Sequence, residues 1–371
     1  MDNRKKGLED VIAVETKIAY IDGIKGILAY RGINVADLMD NSFEEVSYLL
    51  LTGHLPDGSE LSDYITTLRN ERELDSGVID ILKICNNQAD AMDVLRTAVS
   101  YISQYDTDYN DNSVDANTRK AIKLIAKFPT IVAAYYRIIN GLEPVSPDSE
   151  LEHGANFLYM LKGTRPTELE AEIMEKDMIL SAEHGLNAST FASRITASTL
   201  SDIHSAIISG ICTLKGPLHG GARLGAMNML DEIGSIDNVE SFVEECVKTK
   251  TRIAGFGHRV YKTYDPRAKV YRNLAKELSK ADTENGWYEI AEKLEDVVNK
   301  EFVKKSGKII YPNVDFYAAV AYKYLSIPAQ LSTSIFALGR VAGWTSHCLE
   351  QYEDNRLIRP RAKFIWRVYD K

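Results

Sequence analysis

Helical periodicity runs through almost the whole chain after residue 31, and this pattern constrains the fold more than any other feature. Apolar side chains recur every three or four residues, the spacing of one face of an α-helix. Fourteen segments show it: 43–52, 59–71, 75–85, 89–104, 116–139, 149–162, 167–182, 187–213, 222–233, 238–250, 266–281, 286–304, 315–325 and 332–351. Residues 18–31 differ and predict a small β-hairpin with its turn at Asp22-Gly23 or Lys25-Gly26. We therefore expect an all-α fold with a small N-terminal hairpin.

Several helix boundaries have sequence signals. Thr167 and Glu170 have the spacing of a capping box, and Asp237 with Glu240 resembles it. Pro129 lies inside a long helical segment, where a missing N–H and a ring clash are expected to kink or divide the helix.

The segment 187–213 is rich in alanine, serine, threonine and glycine. Small side chains let helices approach closely, so this segment suits either a subunit interface or the centre of a monomer core. Residues 215–217, Lys-Gly-Pro, end it and make a plausible hinge. We expect a large domain formed by 1–217 and 321–371 and a smaller helical domain formed by 218–320.

Composition excludes several protein classes. The chain has 371 residues, 45% hydrophobic and 26% charged, with a net charge of −9, which argues against a general nucleic-acid role. Its four cysteines include no CxxC pair and predict reduced thiols. No signal peptide and no run of about 18 uncharged apolar residues is visible. We therefore expect a cytoplasmic protein with no membrane segment.

Positive charge is concentrated in residues 252–267 against this acidic background. Within this stretch Asp265 and Pro266 predict a helix start, since aspartate caps the first amides and proline fits the first helical position. Arg267 then falls in the first turn, where the helix dipole favours anions. A bound carboxylate or phosphate would remove this conflict. The alternative is a solvated basic loop.

Three other junctions place ionisable side chains next to predicted helices: His184, His219 and Asp315. The positive end of a helix dipole lowers the pKa of a histidine and keeps it neutral, so that His219 could donate a hydrogen bond to a carbonyl oxygen. Asp315 could act as a general base. The alternatives are a capping or core histidine and an aspartate that caps the helix beginning at Phe316.

Metal and nucleotide sites have little support. No HExxH motif occurs, and His219 and His258 have no nearby Cys or His at ligand spacing. The Gly255-Phe256-Gly257 sequence lacks the third glycine of GxGxxG, because position 260 is valine. No Walker A or GxSxG sequence is present.

Four motifs together resemble the citrate synthase family, in the shorter form found in bacteria and archaea. They are GPLHGGA at 216–222, GFGHRVYKTYDPRA at 255–268, YPNVDFY at 311–317 and RLIRPRA at 356–362. The resemblance implies an acyltransferase that condenses acetyl-CoA with oxaloacetate and hydrolyses the citryl thioester to citrate and CoA, a tricarboxylic acid cycle reaction. It also implies a homodimer with no tightly bound cofactor and with the CoA thioester as co-substrate.

The resemblance further implies a role for each matching residue. Asp315 would remove the methyl proton, His219 would hydrogen-bond the thioester oxygen, and His258 would polarise and protonate the ketone of oxaloacetate. Oxaloacetate would also be bound by His184, Arg267, Arg340 and Arg359, the last from the partner subunit. The residues implied for CoA are Arg252, Ile253, Ala254, Gly255, Phe256, Lys262 and Lys308.

One of the chain's departures from the family pattern bears on the proposed site, and two alternative functions stay open. The family usually has glutamate after the histidine matched by His184, whereas this chain has Gly185, which bears on the orientation of His184. The nearest alternative activity is that of 2-methylcitrate synthase, with propanoyl-CoA as donor, since one methylene changes binding by only about 1–3 kcal/mol. A remote alternative is a non-catalytic helical dimer that binds acyl-CoA.

Overall fold

The computed structural model describes residues 6–8, 11–281, 285–307 and 309–365, and most of these are helical. Within them lie fifteen α-helices: α1 Phe43–Thr52, α2 Gly58–Asn70, α3 Ser76–Ile84, α4 Ala91–Ser103, α5 Val114–Ile139, α6 His153–Lys162, α7 Glu168–Ala182, α8 Ala188–Ser198, α9 Ile203–Leu214, α10 Gly221–Ile233, α11 Val239–Thr249, α12 Pro266–Ala281, α13 Trp287–Ser306, α14 Val314–Tyr324 and α15 Ser332–Glu353. The predicted all-α class is confirmed. None of the described helices is long and apolar enough to cross a membrane.

The N-terminal hairpin is confirmed and is extended by one strand that the sequence pattern did not predict. Strand β1 (Ala19–Asp22) pairs antiparallel with β2 (Ile27–Tyr30), and β2 pairs with β3 (Ile33–Asn34). The turn between β1 and β2 spans residues 23–26, so Lys25-Gly26 lies within it and Asp22-Gly23 lies at its start. The third strand forms because Arg31 and Gly32 take positive φ angles of 48° and 88°, which reverse the chain in two residues.

The boundary signals have mixed outcomes. Thr167 and Glu170 form the predicted capping box of α7. The Asp237–Glu240 prediction is wrong: a short 3₁₀ helix spans Ile236–Asn238, and α11 begins at Val239 with no side-chain cap. Pro129 does not divide α5, which continues through it. Its ring is buried among neighbouring helices, whose packing offsets the roughly 3 kcal/mol cost of an interior proline.

The predicted single helix over 187–213 is wrong as well, because α8 and α9 are separate helices. The chain turns at Leu200, which has a φ of 62°, and Asp202 caps α9 by accepting a hydrogen bond from the backbone N–H of Ser205 at 2.9 Å. The small side chains do allow close packing. A Cβ atom added to Gly210 would lie 2.6 Å from Oγ of Ser193, on the neighbouring helix.

Two sets of packed helices bring the site together. Helix α15 is buried along most of its length and packs against α5, α7, α8 and α9. Helix α14 packs against α10, α12 and α13, and α10 also contacts α15. The amino ends of α10, α12 and α14 carry His219, Arg267 and Asp315 respectively. The fold therefore gathers three of the sequence-predicted residues at helix starts.

Candidate active site

The loop Gly255-Phe256-Gly257 is joined to the start of α14 by backbone hydrogen bonds. The backbone N–H of Asn313 donates to the carbonyl oxygen of Gly255 at 2.9 Å, and that of Gly257 donates to the carbonyl oxygen of Tyr311 at 2.9 Å. The side-chain amide of Asn313 donates to the carbonyl oxygen of Gly257 at 3.1 Å. These contacts fix the chain segment that carries His258 against the helix that carries Asp315.

His258 has a defined tautomer. Its Nδ1 accepts hydrogen bonds from the backbone N–H groups of Val260 and Tyr261 at 3.0 and 3.1 Å, so the ring proton lies on Nε2. Burial and then the charge of Arg267 lower the pKa of His258 to about 4, against the opposing effect of Asp265. His258 is therefore a neutral imidazole that offers an Nε2–H donor at neutral pH.

His184 packs beside His258. Their ring centroids are 5.5 Å apart, and Nε2 of His184 shares a hydrogen bond of 3.1 Å with the hydroxyl of Tyr261. Burial, followed by the charge of Arg267, lowers the pKa of His184 well below its usual value. Gly185 takes a φ of 59°, and a Cβ there would lie 3.0 Å from Ile21, so the departure from the family pattern accommodates the β-sheet. His184 is nevertheless held in place by Tyr261.

His219 precedes α10 and faces Ser189 on α8. The backbone N–H of Ser189 donates to Nε2 of His219 at 3.3 Å, and the Ser189 hydroxyl lies 2.8 Å from the same nitrogen. Since Nε2 is an acceptor, the ring proton lies on Nδ1. Burial and the charge of Arg340 lower the pKa of His219 to about 4. The predicted neutral state is thus supported, and Nδ1–H is the ring group left to act as a hydrogen-bond donor.

Asp315 lies in the first turn of α14 but does not cap it. The cap is Asn313, whose Oδ1 accepts a hydrogen bond from the backbone N–H of Asp315 at 3.0 Å, so the alternative of a capping aspartate at the start of a helix at Phe316 is wrong. The carboxyl side chain is 18% exposed, and its Oδ1 is 3.4 Å from Nε of Arg223. Burial raises its pKa, while the charges of Arg223 and Arg267 oppose that rise.

The first-turn position of Arg267 has a partner within the chain. Asp265 accepts from Nε of Arg267 at 3.1 Å and from Nη2 at 2.9 Å, and it also caps the helix through the backbone N–H of Arg267 at 3.0 Å. Burial disfavours the guanidinium charge, but the ion pair with Asp265 raises its pKa. Arg340 donates from Nε to the carbonyl oxygen of Ser181 at 2.7 Å and is buried, which lowers its pKa to about 10.

Electrostatic effects show that these groups share one region. After burial, which is the first cause in each case, the charge of Arg267 lowers the pKa values of His184 and His258, and that of Arg340 lowers those of His184 and His219. Two buried cations therefore act on three neutral histidines. A substrate with two carboxylates would complement this charge.

Arg359 is not brought to this region within one chain. It lies in the exposed segment that follows α15, and among the described residues it makes no hydrogen bond or ion pair. Its predicted role across a subunit interface remains a prediction.

The residues expected to bind CoA lie mostly in one loop. The side chains of Ile253 and Phe256 are buried, whereas Arg252 is exposed. Lys262 is exposed, and Lys308 lies outside the described residues. A cavity of about 560 Å³ opens beside this loop, lined in part by Gly257, His258, Tyr261, Lys262, Tyr311 and Pro312.

Sequence reasoning missed three residues of this site: Ser189, Arg223 and Asp177. Arg223 follows the GPLHGGA motif directly, and an arginine among apolar helical residues was the available signal. Nothing in the sequence pairs it with Asp177, 46 residues away. Among the residues that the structure describes, no group of three His, Cys, Asp or Glu side chains is arranged to hold a metal ion.

Comparisons with known proteins match nearly the whole chain. A family model described as citrate synthase, C-terminal domain, matches residues 7–361. Citrate synthase from Haloferax volcanii is 45% identical, covering 97% of this chain and 95% of its own length. A Bacillus subtilis relative named citrate/2-methylcitrate synthase is 38% identical, covering 97% of this chain and 95% of its own length.

A solved structure gives the same fold. Citrate synthase from Thermoplasma acidophilum, in a ternary complex with carboxymethyl coenzyme A and oxaloacetate, has a TM-score of 0.92 and 37% identity, covering 99% of this chain and 97% of that chain. From the motifs, the helical architecture and these similarities together, the chain belongs to the citrate synthase family.

Proposed function

We propose that this protein condenses acetyl-CoA with oxaloacetate and hydrolyses the resulting citryl thioester, giving citrate and CoA. The observation that carries this proposal is that a mostly buried carboxyl, Asp315, and a neutral imidazole, His219, lie at the starts of two helices that pack against each other. Family membership supports it, as does the complex of the Thermoplasma acidophilum relative with oxaloacetate and a CoA derivative. No resident cofactor is needed for this chemistry.

Asp315 is the proposed base that removes the methyl proton of acetyl-CoA. Burial raises its pKa, which makes the ionised carboxylate a stronger base than an exposed one. A thioester α-proton is only weakly acidic, so the enolate must be stabilised as it forms. The Nδ1–H of His219 supplies that stabilisation by donating to the thioester oxygen, and loss of such a donor typically lowers the rate by about 10²–10³.

His258 is the proposed partner of the oxaloacetate ketone. Its Nε2–H polarises the carbonyl and protonates the oxygen as the new carbon–carbon bond forms. His184, Arg267 and Arg340 bind oxaloacetate, since guanidinium groups meet carboxylates with paired hydrogen bonds. Each charge-assisted bond contributes roughly 1.5–3 kcal/mol. Arg359 would complete the site from the partner subunit of a homodimer.

CoA would lie along the loop 252–256 and the cavity beside it. Because Ile253 and Phe256 are buried, the adenine end would contact the backbone of this loop and the exposed side chain of Arg252. Exposed Lys262 is suited to a phosphate, and Lys308 has the same proposed role.

Closure of domain 218–320 over the domain formed by 1–217 and 321–371 would exclude water before condensation. A cytoplasmic location is part of the proposal, and the four free cysteines are consistent with a reducing compartment.

Release of free thiol from acetyl-CoA tests the proposal. We expect the purified protein to release CoA only when oxaloacetate is present, with stoichiometric citrate. Absence of thiol release from folded, dimeric protein would contradict it and favour a non-catalytic acyl-CoA-binding dimer.

The acyl donor is tested by the same assay. The relative named citrate/2-methylcitrate synthase makes propanoyl-CoA a specific competitor. We expect kcat/KM to be higher for acetyl-CoA than for propanoyl-CoA at saturating oxaloacetate. A reversed ratio would assign the 2-methylcitrate reaction instead.

A further inference from the structure

A buried ionic cluster lies directly behind Asp315. Arg223, in the first turn of α10, is 1% exposed, and its Nη1 donates to Oδ1 of Asp177 at 2.8 Å and to the hydroxyl of Tyr322 at 2.7 Å. Its Nε lies 3.4 Å from Oδ1 of Asp315. One guanidinium thus joins a fully buried aspartate on α7 to the carboxylate at the start of α14.

The guanidinium has little freedom to move. The hydroxyls of Tyr271 and Tyr322 donate to the two oxygens of Asp177 at 2.5 and 2.9 Å, so the acceptor is itself fixed. The rings of Tyr322 and Phe336 lie 4.9 and 5.2 Å from the guanidinium carbon. A planar arginine held on several sides keeps one direction for Nε, the direction of Asp315.

We propose that Arg223 is a positioning residue for Asp315, which holds one carboxylate oxygen and leaves the other to accept the methyl proton. The position of Arg223 in the chain also links the base to His219. His219 lies four residues before Arg223, so the same helix start carries the hydrogen-bond donor and the group that orients the base. This inference rests on the proposed function, because it assigns a role relative to Asp315 as the base.

The charge balance of the cluster makes the inference testable. Burial raises the pKa of Asp315, and the positive charge of Arg223 opposes that rise. Asp177 forms an ion pair with the same guanidinium, so its negative charge should offset part of the arginine's effect. Removal of Arg223 would therefore raise the pKa of Asp315 further, and removal of the Asp177 charge would lower it. The charged groups that act on Asp315 are Arg223, Arg267, Asp265 and Arg340. Asp177, Tyr271 and Tyr322 contact Arg223. Glu295 on α13 pairs with Tyr317 and Arg272 instead.

The test compares kcat/KM for acetyl-CoA against pH in Arg223→Gln, Arg223→Lys and Asp177→Asn. Activity that needs an ionised Asp315 is lost as pH falls through its pKa, so we expect the acid limb to move to higher pH in Arg223→Gln and to lower pH in Asp177→Asn. In Arg223→Gln we expect kcat to fall about 10- to 100-fold, with a KM for oxaloacetate within about threefold of the unmodified protein. Arg223→Lys should have an intermediate kcat and an intermediate acid limb, because lysine keeps the positive charge but lacks the planar guanidinium that contacts both aspartates.

A matched control is the ion pair between Arg72 and Glu44, whose side chains are 1% and 2% exposed. Arg72 is thus as buried as Arg223, and the pair joins α1 to the residue pair that follows α2. Arg72→Gln should lower thermal stability without moving the pH profile. Carbon-13 NMR of labelled aspartate in the folded variants gives the pKa of Asp315 without an activity assay.

The inference would be overturned if the acid limb and the pKa of Asp315 in every Arg223 and Asp177 variant were the same as in the unmodified protein. If Arg223→Gln does not fold, the Arg223→Lys and Asp177→Asn profiles decide it. Failure of the unmodified protein to release thiol would instead contradict the proposed function.

Discussion

The backbone N–H of Asn313 donates a hydrogen bond of 2.9 Å to the carbonyl oxygen of Gly255, and this contact joins the loop that leads to His258 with the helix that carries Asp315. Phe256 reinforces it, because its ring lies 4.7 Å from that of Phe316. The proposed proton donor to oxaloacetate and the proposed base are therefore placed by one junction, and disturbance of the junction should affect both.

Gly255→Ala should disrupt this junction. Gly255 has a φ of 77°, and an added Cβ would lie 2.8 Å from Cβ of Phe316. The left-handed conformation alone costs roughly 1–2 kcal/mol for a residue with a side chain, and the clash adds to it. We expect kcat to fall at least about tenfold. Gly141→Ala is the matched control, since Gly141 has a φ of 71° with nothing within 4 Å, and it should lose stability while it keeps its turnover.

Gly23→Ala should also displace the loop that carries His258, because Gly23 in the β1–β2 turn contacts that loop. The carbonyl oxygen of Gly23 accepts from the backbone N–H of Lys262 at 2.8 Å, and a Cβ on Gly23 would lie 2.3 Å from the carbonyl oxygen of Val260. The β1–β2 turn thus holds the loop at contact distance.

We expect this variant to raise the KM for oxaloacetate several-fold with little change in melting temperature. Gly58→Ala, at an open position in the first turn of α2, should leave KM unchanged. An unaltered KM in Gly23→Ala would show that the hairpin does not position the loop.

Nitrogen-15 NMR should find His219 and His258 neutral at pH 7, with opposite tautomers. The proton should lie on Nδ1 in His219 and on Nε2 in His258, because the other nitrogen of each ring accepts backbone hydrogen bonds. The pKa values of about 4 lie below the usual 6.5, so the unfolded chain binds more protons between these values. Stability should accordingly fall as pH drops from about 6.5 towards 4. A normal pKa for either ring would contradict the assigned state.

Helix positions and the motif residues could be predicted from sequence because both depend on local spacing. The capping box at Thr167 is an example, since all its partners lie within four residues. The break between α8 and α9 could not be predicted, because Leu200 and its neighbours include no glycine or proline. Interactions between distant segments were also missed. The partner of Arg223 on α10 is Asp177 on α7, and only the tertiary fold brings these two helices together.

Turnover by Asp315→Asn, measured together with oxaloacetate binding by calorimetry, tests the central claim most directly. The amide keeps the shape of the side chain but cannot accept the methyl proton. We predict that kcat falls by about 10²–10⁴ while the Kd for oxaloacetate stays within about threefold. Asp231→Asn, in an exposed ion pair with Lys323, is the control and should keep full turnover. A kcat of Asp315→Asn within tenfold of the unmodified protein would contradict the assignment of this carboxylate as the base.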